Sequence, residues 1–276
     1  MTTTFAISNQ KGGVAKTTSC FTIAACLAEM GKHTLVVDLD PQAHLTIAAG
    51  YDPDQIEQSV ADLLLLEKQT CDWSQFLLPT AQQNLYLLAA DLRLAQVERQ
   101  IGERQGYEVL LQDALEPLKN SLPLPNSRDD FLSFGFDYIL FDCPPSMGTL
   151  TILALTAANW ALVPLQAEYF ASRGLYRLLD VIEAVQEHTN PALDYAIFVT
   201  MYDGRNRISQ KVFEEVHQHF EEKILTTPIR VDTRLRECSI AGEPVTLYAP
   251  HTRASQEYRI LTNELIEYIQ SQEQIK

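Results

Sequence analysis

Six short runs of apolar residues punctuate the chain, at Phe5–Ser8, Thr34–Asp38, Leu85–Ala89, Tyr138–Asp142, Trp160–Pro164 and Tyr195–Thr200. Most are apolar at consecutive positions rather than at alternate ones. A strand reads that way when both of its faces are covered, as in a parallel sheet held between helices. Between the runs, apolar residues recur at helical spacing over Thr17–Met30, Leu92–Gln100, Gly106–Ser121, Leu150–Ala157, Gly174–Glu187, Arg207–His219 and Ala254–Gln272. The first of these stops at Gly31, a residue suited to closing a helix. The opening order of strand, loop, helix and strand predicts an α/β fold, a doubly wound, mostly parallel sheet flanked by helices. One stretch breaks the alternation: Pro117–Asp130 holds three prolines with Asn, Ser and Asp, and predicts a surface loop over about 117–135. No repeat or low-complexity segment interrupts the pattern, so a single domain over residues 1–276 is the simplest organisation.

With 276 residues, 46% of them hydrophobic, the chain can build a sizeable core. No apolar run approaches the roughly 20 residues needed to cross a bilayer. The segment Thr4–Ser8 is already strand-like and lacks the basic start and apolar stretch of a signal peptide, which points to a cytoplasmic protein. The cysteines Cys20, Cys26, Cys71, Cys143 and Cys238 are widely spaced, form no CxxC pair, and read as buried thiols rather than a disulfide or zinc framework. A formal net charge of −15 argues against a polyanionic partner, but the charge is uneven. Residues 199–260 carry nine Lys/Arg and nine Asp/Glu, so the whole excess of acid lies elsewhere. That neutral, arginine-bearing region leaves room for a local positive face.

Chemistry concentrates after the first strand, which runs into Asn9-Gln10-Lys11-Gly12-Gly13-Val14-Ala15-Lys16-Thr17-Thr18 and then a helix. Gly12 and Gly13 let the backbone pass close to oxygen atoms. Successive N–H groups at a helix start form a nest for an anion. Lys16 is placed to reach the β- and γ-phosphates of ATP, and the Thr17 hydroxyl to ligate Mg²⁺. Lys11, Gly12, Gly13, Val14, Ala15, Lys16, Thr17 and Thr18 are therefore the candidate nucleotide-binding residues. The ordinary pattern GxxxxGK[ST] fails, because Gln10 and Ala15 stand where its glycines belong. What remains, Lys-Gly-Gly-x-x-Lys-Thr-Thr between strand and helix, resembles the deviant Walker A family of P-loop ATPases. That family includes ParA/Soj partition ATPases, MinD and the nitrogenase iron protein.

The resemblance extends over essentially the whole chain. Asp38-Leu39-Asp40-Pro41-Gln42 is similar to the DxDPQ segment of ParA proteins, although two acids at a strand end also suit a helix N-cap or a solvated turn. By the resemblance Asp40 would orient or activate the attacking water and Asp38 would support the Mg²⁺ shell; spacing alone does not divide those roles. Tyr138–Asp142, followed by Cys143-Pro144-Pro145-Ser146, looks like the family's Walker B segment, where Asp142 would accept from Mg²⁺-bound water or Thr17. The implied catalytic set is Lys11, Lys16 and Asp40, and the implied metal set Thr17, Asp38 and Asp142. In this family the additional lysine, here Lys11, reaches the nucleotide of a second protomer. The resemblance thus implies an ATP-dependent homodimer, released by a hydrolysis that is slow until a partner protein stimulates it.

Thr200-Met201-Tyr202-Asp203-Gly204-Arg205-Asn206-Arg207 resembles the TMxDxR stretch of chromosomal ParA proteins, and Pro228–Ser239 is similar to their IPRNVRLSEA stretch. Arg205 and Arg234 then match arginines that bind DNA non-specifically, with Arg230, Arg236, Arg253 and Lys211 as neighbouring candidates. The plainer reading is that exposed arginines solvate an acidic surface. The implied function is partition of plasmid or chromosomal DNA on the nucleoid, with a ParB-like adaptor. The alternative is the same cycle positioning a protein cargo such as carboxysomes or chemoreceptor clusters; the carboxysome-distributing variant lacks the extra lysine, so Lys11 leans towards DNA. A MinD-like membrane positioner fits less well, since the tail Asn263–Lys276 has three acids and one lysine rather than a basic amphipathic face. An iron–sulfur reductase would need paired cysteines. A first strand at residue 4 leaves no room for an N-terminal helix-turn-helix domain.

Overall fold

The structure, a computed structural model, describes residues 2–66, 72–119, 135–168 and 171–275. Strand β1 (Thr3–Ile7) leads through the glycine-rich loop into α1 (Lys16–Glu29) and β2 (Thr34–Asp38). There follow α2 (His44–Ala48), α3 (Val60–Leu65), β3 (Leu77–Pro79), β4 (Leu85–Leu88), α4 (Leu94–Gly102) and α5 (Leu110–Lys119). The second half runs β5 (Tyr138–Asp142), α6 (Thr149–Ala157), β6 (Trp160–Gln166), α7 (Ala171–His188), β7 (Asp194–Thr200), α8 (Arg207–His219), α9 (Arg234–Ala241), α10 (Val245–Tyr248) and α11 (Arg253–Ile275). Among the described residues the strands form one sheet in the order β3-β4-β2-β5-β1-β6-β7. Its neighbours are parallel except β3, which runs antiparallel to β4 at the edge.

Both faces of this sheet are covered, which is why its strands read as continuous apolar runs. Leu35 and Val37 of β2 and Ile139 and Phe141 of β5 join the core beneath α4, α5, α6 and α7. Val36, Leu140, Phe5 and Ile7 point the other way, into a core shared with α1 and α11. Helix α1 closes where the sequence places its end: Gly31 takes φ +79° and donates its N–H to the Ala28 carbonyl at 2.9 Å. It is locked to α11 by a buried 2.8 Å hydrogen bond between the Ser19 and Tyr258 hydroxyls. The register then sets the site. Ile7 of β1 and Asp38 of β2 both lie opposite Asp142 of β5, so three strands end at one level and their loops open on one edge. In an open α/β sheet that edge is where ligands bind.

Five of the elements just named have no counterpart in the apolar pattern. α2, α3 and α10 are only a turn or so long, β3 is three residues at the edge, and α9 buries only Cys238. None shows a period over enough residues to register. Pro117 lies inside α5 instead of opening a loop. The buried stripe Leu111, Leu115 and Leu118 carries the helix past it, offsetting the lost Pro117 N–H bond and the crowding of the Asp113 carbonyl by its ring. Residues 120–134, the bulk of the expected loop, lie outside the described residues. Cys20, Cys26, Cys143 and Cys238 are free and buried, as their spacing suggests; Cys71 lies outside the described residues.

Candidate functional site

Asn9, buried just past β1, starts the loop. Its side-chain amide donates to the Pro164 carbonyl on β6 at 2.8 Å, and its side-chain oxygen accepts the Lys11 N–H at 3.0 Å. Gly13 at φ +75° and Ala15 at φ +67° both take the left-handed conformation. Glycine enters it without steric penalty, whereas alanine's methyl crowds the backbone at roughly 1–2 kcal/mol. Ala15, one of the two departures from the ordinary P-loop pattern, is therefore strained, and it caps α1 directly before Lys16. A Cβ placed on Gly12 or Gly13 would meet nothing within 4 Å, so the loop faces open space. Its far side is tied down by Thr200, fully buried at the end of β7, whose hydroxyl donates to the Val14 carbonyl at 3.1 Å. The Lys16 ammonium folds back to donate to the Lys11 carbonyl at 3.2 Å. Burial pushes its pKa down, while Asp142, Cys143 and Asp40 favour the charged form.

The three acids named from sequence meet at this edge but have different surroundings. Asp38 is wholly buried and acts as a hub. One oxygen accepts the Asp40 N–H at 3.0 Å; the other accepts the N–H and the hydroxyl of Thr46, each at 2.8 Å. The Thr46 hydroxyl also accepts the Ala90 N–H at 3.0 Å, so the ends of β2 and β4 and helix α2 are joined through one side chain. Burial pushes the Asp38 carboxyl up to about 7, against the opposing pull of its hydrogen bonds from Thr46 and Asp40. Asp142 is equally buried, yet neither of its oxygens meets a partner in hydrogen-bond geometry. Burial first, then the Asp38 charge, push it well above the carboxylate range; the nearby Thr17 hydroxyl and Lys16 pull it down. A buried carboxylate left without hydrogen bonds is uncommon, and it fits a cation or its water as the missing partner. Asp40 lines the open cleft, with one oxygen accepting the Gln42 N–H at 2.9 Å and the other 3.9 Å from His44 Nδ1. Among the described residues no group of three or more His, Cys, Asp or Glu could hold an ion unaided. A magnesium ion here would take most of its ligands from phosphate and water.

Lys11 is held on its own chain. Its ammonium donates to Gln166 Oε1 at 2.8 Å and to Glu168 Oε2 at 2.6 Å, and the Gln166 amide donates to the other Glu168 oxygen at 2.6 Å. Gly12, Lys16, Thr17, Asp40, Gln166 and Glu168 border one cleft of about 1430 Å³ that runs from the loop past Asp40 to Arg230, Arg236 and α9. At its far end Tyr202 bridges to Arg230 and brings the turn before α8, which carries Arg205, beside the segment before α9. The Arg205 side chain is 92% exposed and pairs with Asp203 at 3.1 Å. Arg234 opens α9, its N–H donating to Asp232 at 3.1 Å. Arg230 and Arg253 share the buried Glu257, at 3.0 and 3.5 Å, which offsets their charge. Lys211 pairs with Glu215 along α8 at 3.7 Å. Thr46, Gln166 and Glu168 complete the site without any motif of their own, and Asn9 and Thr200 stand at the ends of the motif segments without a role read for them. A polar residue at the end of an apolar run is what any strand end looks like.

Comparison with known proteins bears on this arrangement. A family model described as an AAA domain matches residues 2–195. The sporulation initiation inhibitor protein Soj of Bacillus subtilis is 38% identical over 261 residues, covering 94% of this chain and 96% of that protein. The chromosome partitioning protein ParA of Caulobacter vibrioides is 36% identical over 262 residues, covering 95% and 92%. Among solved structures, that of cobyrinic acid a,c-diamide synthase from Mycobacterium smegmatis with bound ADP and magnesium is similar at a TM-score of 0.80. Its sequence identity is 35%, and the match covers 98% of this chain and 96% of that one.

Proposed function

The chain belongs to the ParA/Soj partition ATPases of the ParA/MinD P-loop family, and from that membership we propose that it is an ATP-driven switch that partitions DNA. The observation that carries the reading is the edge where β1, β2 and β5 end. There a phosphate-shaped loop faces open space beside a buried, unpartnered Asp142. Thr17 and Asp142 would hold Mg²⁺, with Asp38 behind them. The ion, when bound, supplies charge neutralisation to the phosphates. Lys16, largely withdrawn from water, adds a charge whose effect is strengthened by that burial. Asp40, which lines the cleft, orients the attacking water, and Asp38 fixes Asp40 by accepting its N–H. Phosphoryl transfer needs mainly positioning and charge neutralisation, and these residues supply both.

In this reading Lys11 crosses to the nucleotide of a second protomer, so ATP joins a homodimer and hydrolysis releases it. A ParB-like adaptor sets the timing. Arg205 and Arg234 contact the DNA backbone, which makes nucleoid DNA the track. The two relatives described above carry names from sporulation and chromosome partitioning, which supports DNA over a protein organelle as cargo. No described helix is long and apolar enough to cross a membrane. Binding of unrelated duplexes, measured with ATP and Mg²⁺ across a salt series, tests the DNA face. Binding is expected to weaken steeply with salt. Replacing Arg205 and Arg234 together by alanine is expected to lower the salt slope by about one for each phosphate that the variant no longer neutralises. Unchanged affinity and slope would remove the proposed face.

A further inference from the structure

Two partners compete for Lys11. The structure places its ammonium on its own chain, against Gln166 and Glu168, and three features separate this arrangement from a chance surface pair. Both Glu168 oxygens are engaged, one by Lys11 and the other by the Gln166 amide, so the carboxylate is oriented. The frame is stiff: Asn9 ties the loop start to Pro164 on β6, the strand that ends at Gln166, and the Ala167 N–H donates to the Thr200 carbonyl at 3.2 Å. Gln166, Ala167 and Glu168 also border the same cleft as the phosphate loop. A carboxylate at that border opposes an incoming triphosphate unless the lysine stays with it. An ammonium that leaves for a phosphate uncovers that carboxylate.

We infer that Gln166 and Glu168 form a store for Lys11, with Glu168 a positioning residue that keeps the lysine on its own protomer until ATP draws it across to the second. The inference rests on the reading that Lys11 bridges two protomers. Lys11 and Glu168 are 38% and 55% exposed. A pair so solvated biases an equilibrium by about two- to fivefold. That is weak enough to yield to a triphosphate and strong enough to move the ATP concentration at which the dimer forms.

The test is sedimentation velocity of the full chain, titrated with a slowly hydrolysed ATP analogue and Mg²⁺. Wild type is compared with Glu168→Gln, Glu168→Asp and Lys11→Ala. Glu168→Gln is expected to reach half-dimer at about two- to fivefold lower nucleotide than wild type, with the same final extent of dimer. Glu168→Asp, which keeps the charge, is expected to return towards the wild-type half-point. A simple structural loss would instead lower the final extent. If wild type dimerises, Lys11→Ala does not, and the Glu168→Gln half-point is unchanged or higher, the store is overturned while the bridging role stands. If Lys11→Ala dimerises as readily as wild type, or wild type stays monomeric throughout, the bridging reading falls and takes the store with it.

Discussion

Asp142 and Ala15 are each unfavourable where they stand in the nucleotide-free chain. Asp142 is a buried carboxyl without hydrogen bonds, beside a second buried carboxyl at Asp38. Both acids hold their proton more tightly folded than unfolded. From the unfolded value of 3.8 up to about 7, the folded chain keeps the Asp38 proton while the unfolded chain releases it. The stabilising contribution is therefore fully present below that window and is lost as pH rises through it. Thermal melts of the nucleotide-free protein are expected to show lower stability near pH 8 than near pH 5. Asp142→Asn is expected to reduce that pH dependence and to add about 1–2 kcal/mol near pH 8, a rise of several degrees, while impairing Mg²⁺-dependent hydrolysis. Melts that do not change with pH, or an Asn variant less stable than wild type, would contradict the assignment. Ala15→Gly is expected to gain about 0.5–1 kcal/mol by releasing the left-handed strain, part of which glycine returns as unfolded-state entropy. A melt that shows the variant destabilised would mean that the alanine methyl packs favourably enough to offset the strain.

At the scale of elements, one side chain ties α2 to the ends of β2 and β4, while Leu45 and Ala48 pack it into the core. The Thr46 hydroxyl donates to Asp38 and accepts from Ala90, so Thr46→Val leaves a buried N–H and a carboxylate oxygen each short of a partner. The expected loss is about 1–3 kcal/mol, measured by denaturant unfolding, with hydrolysis falling as the Asp40 turn loosens. A variant as stable as wild type would show that α2 is held some other way. The same hydroxyl explains the limits of legibility. The six parallel strands and α1 could be read because double-sided burial writes continuous apolar runs and Gly31 marks an end. Asp38, Asp40 and Asp142 could be placed because they follow such runs. Their division of labour could not be read, because the Asp38 hub depends on Thr46 in a five-residue helix with too few positions to show a period. The Lys11 acceptors were equally hidden: Gln166 and Glu168 lie 155 and 157 residues away in sequence, and only the β1–β6 pairing brings the two segments together.

For the whole molecule, the proposed function asks an acidic chain of net charge −15 to reach DNA through a local face, and a dimer would double the acidity that the face must overcome. On that proposal DNA binding would be contingent on assembly, since only a dimer would present two sets of Arg205 and Arg234 together. Everything then turns on whether ATP joins two chains through Lys11. The most direct measurement is gel filtration with light scattering on wild type, Asp40→Ala and Lys11→Ala, each with and without ATP and Mg²⁺. The expected result is a nucleotide-dependent dimer for wild type and a longer-lived one for Asp40→Ala, whose turnover falls by at least about a hundredfold. Lys11→Ala is expected to remain monomeric. Wild type and Asp40→Ala both monomeric with ATP and Mg²⁺, or Lys11→Ala dimerising as they do, would contradict the switch.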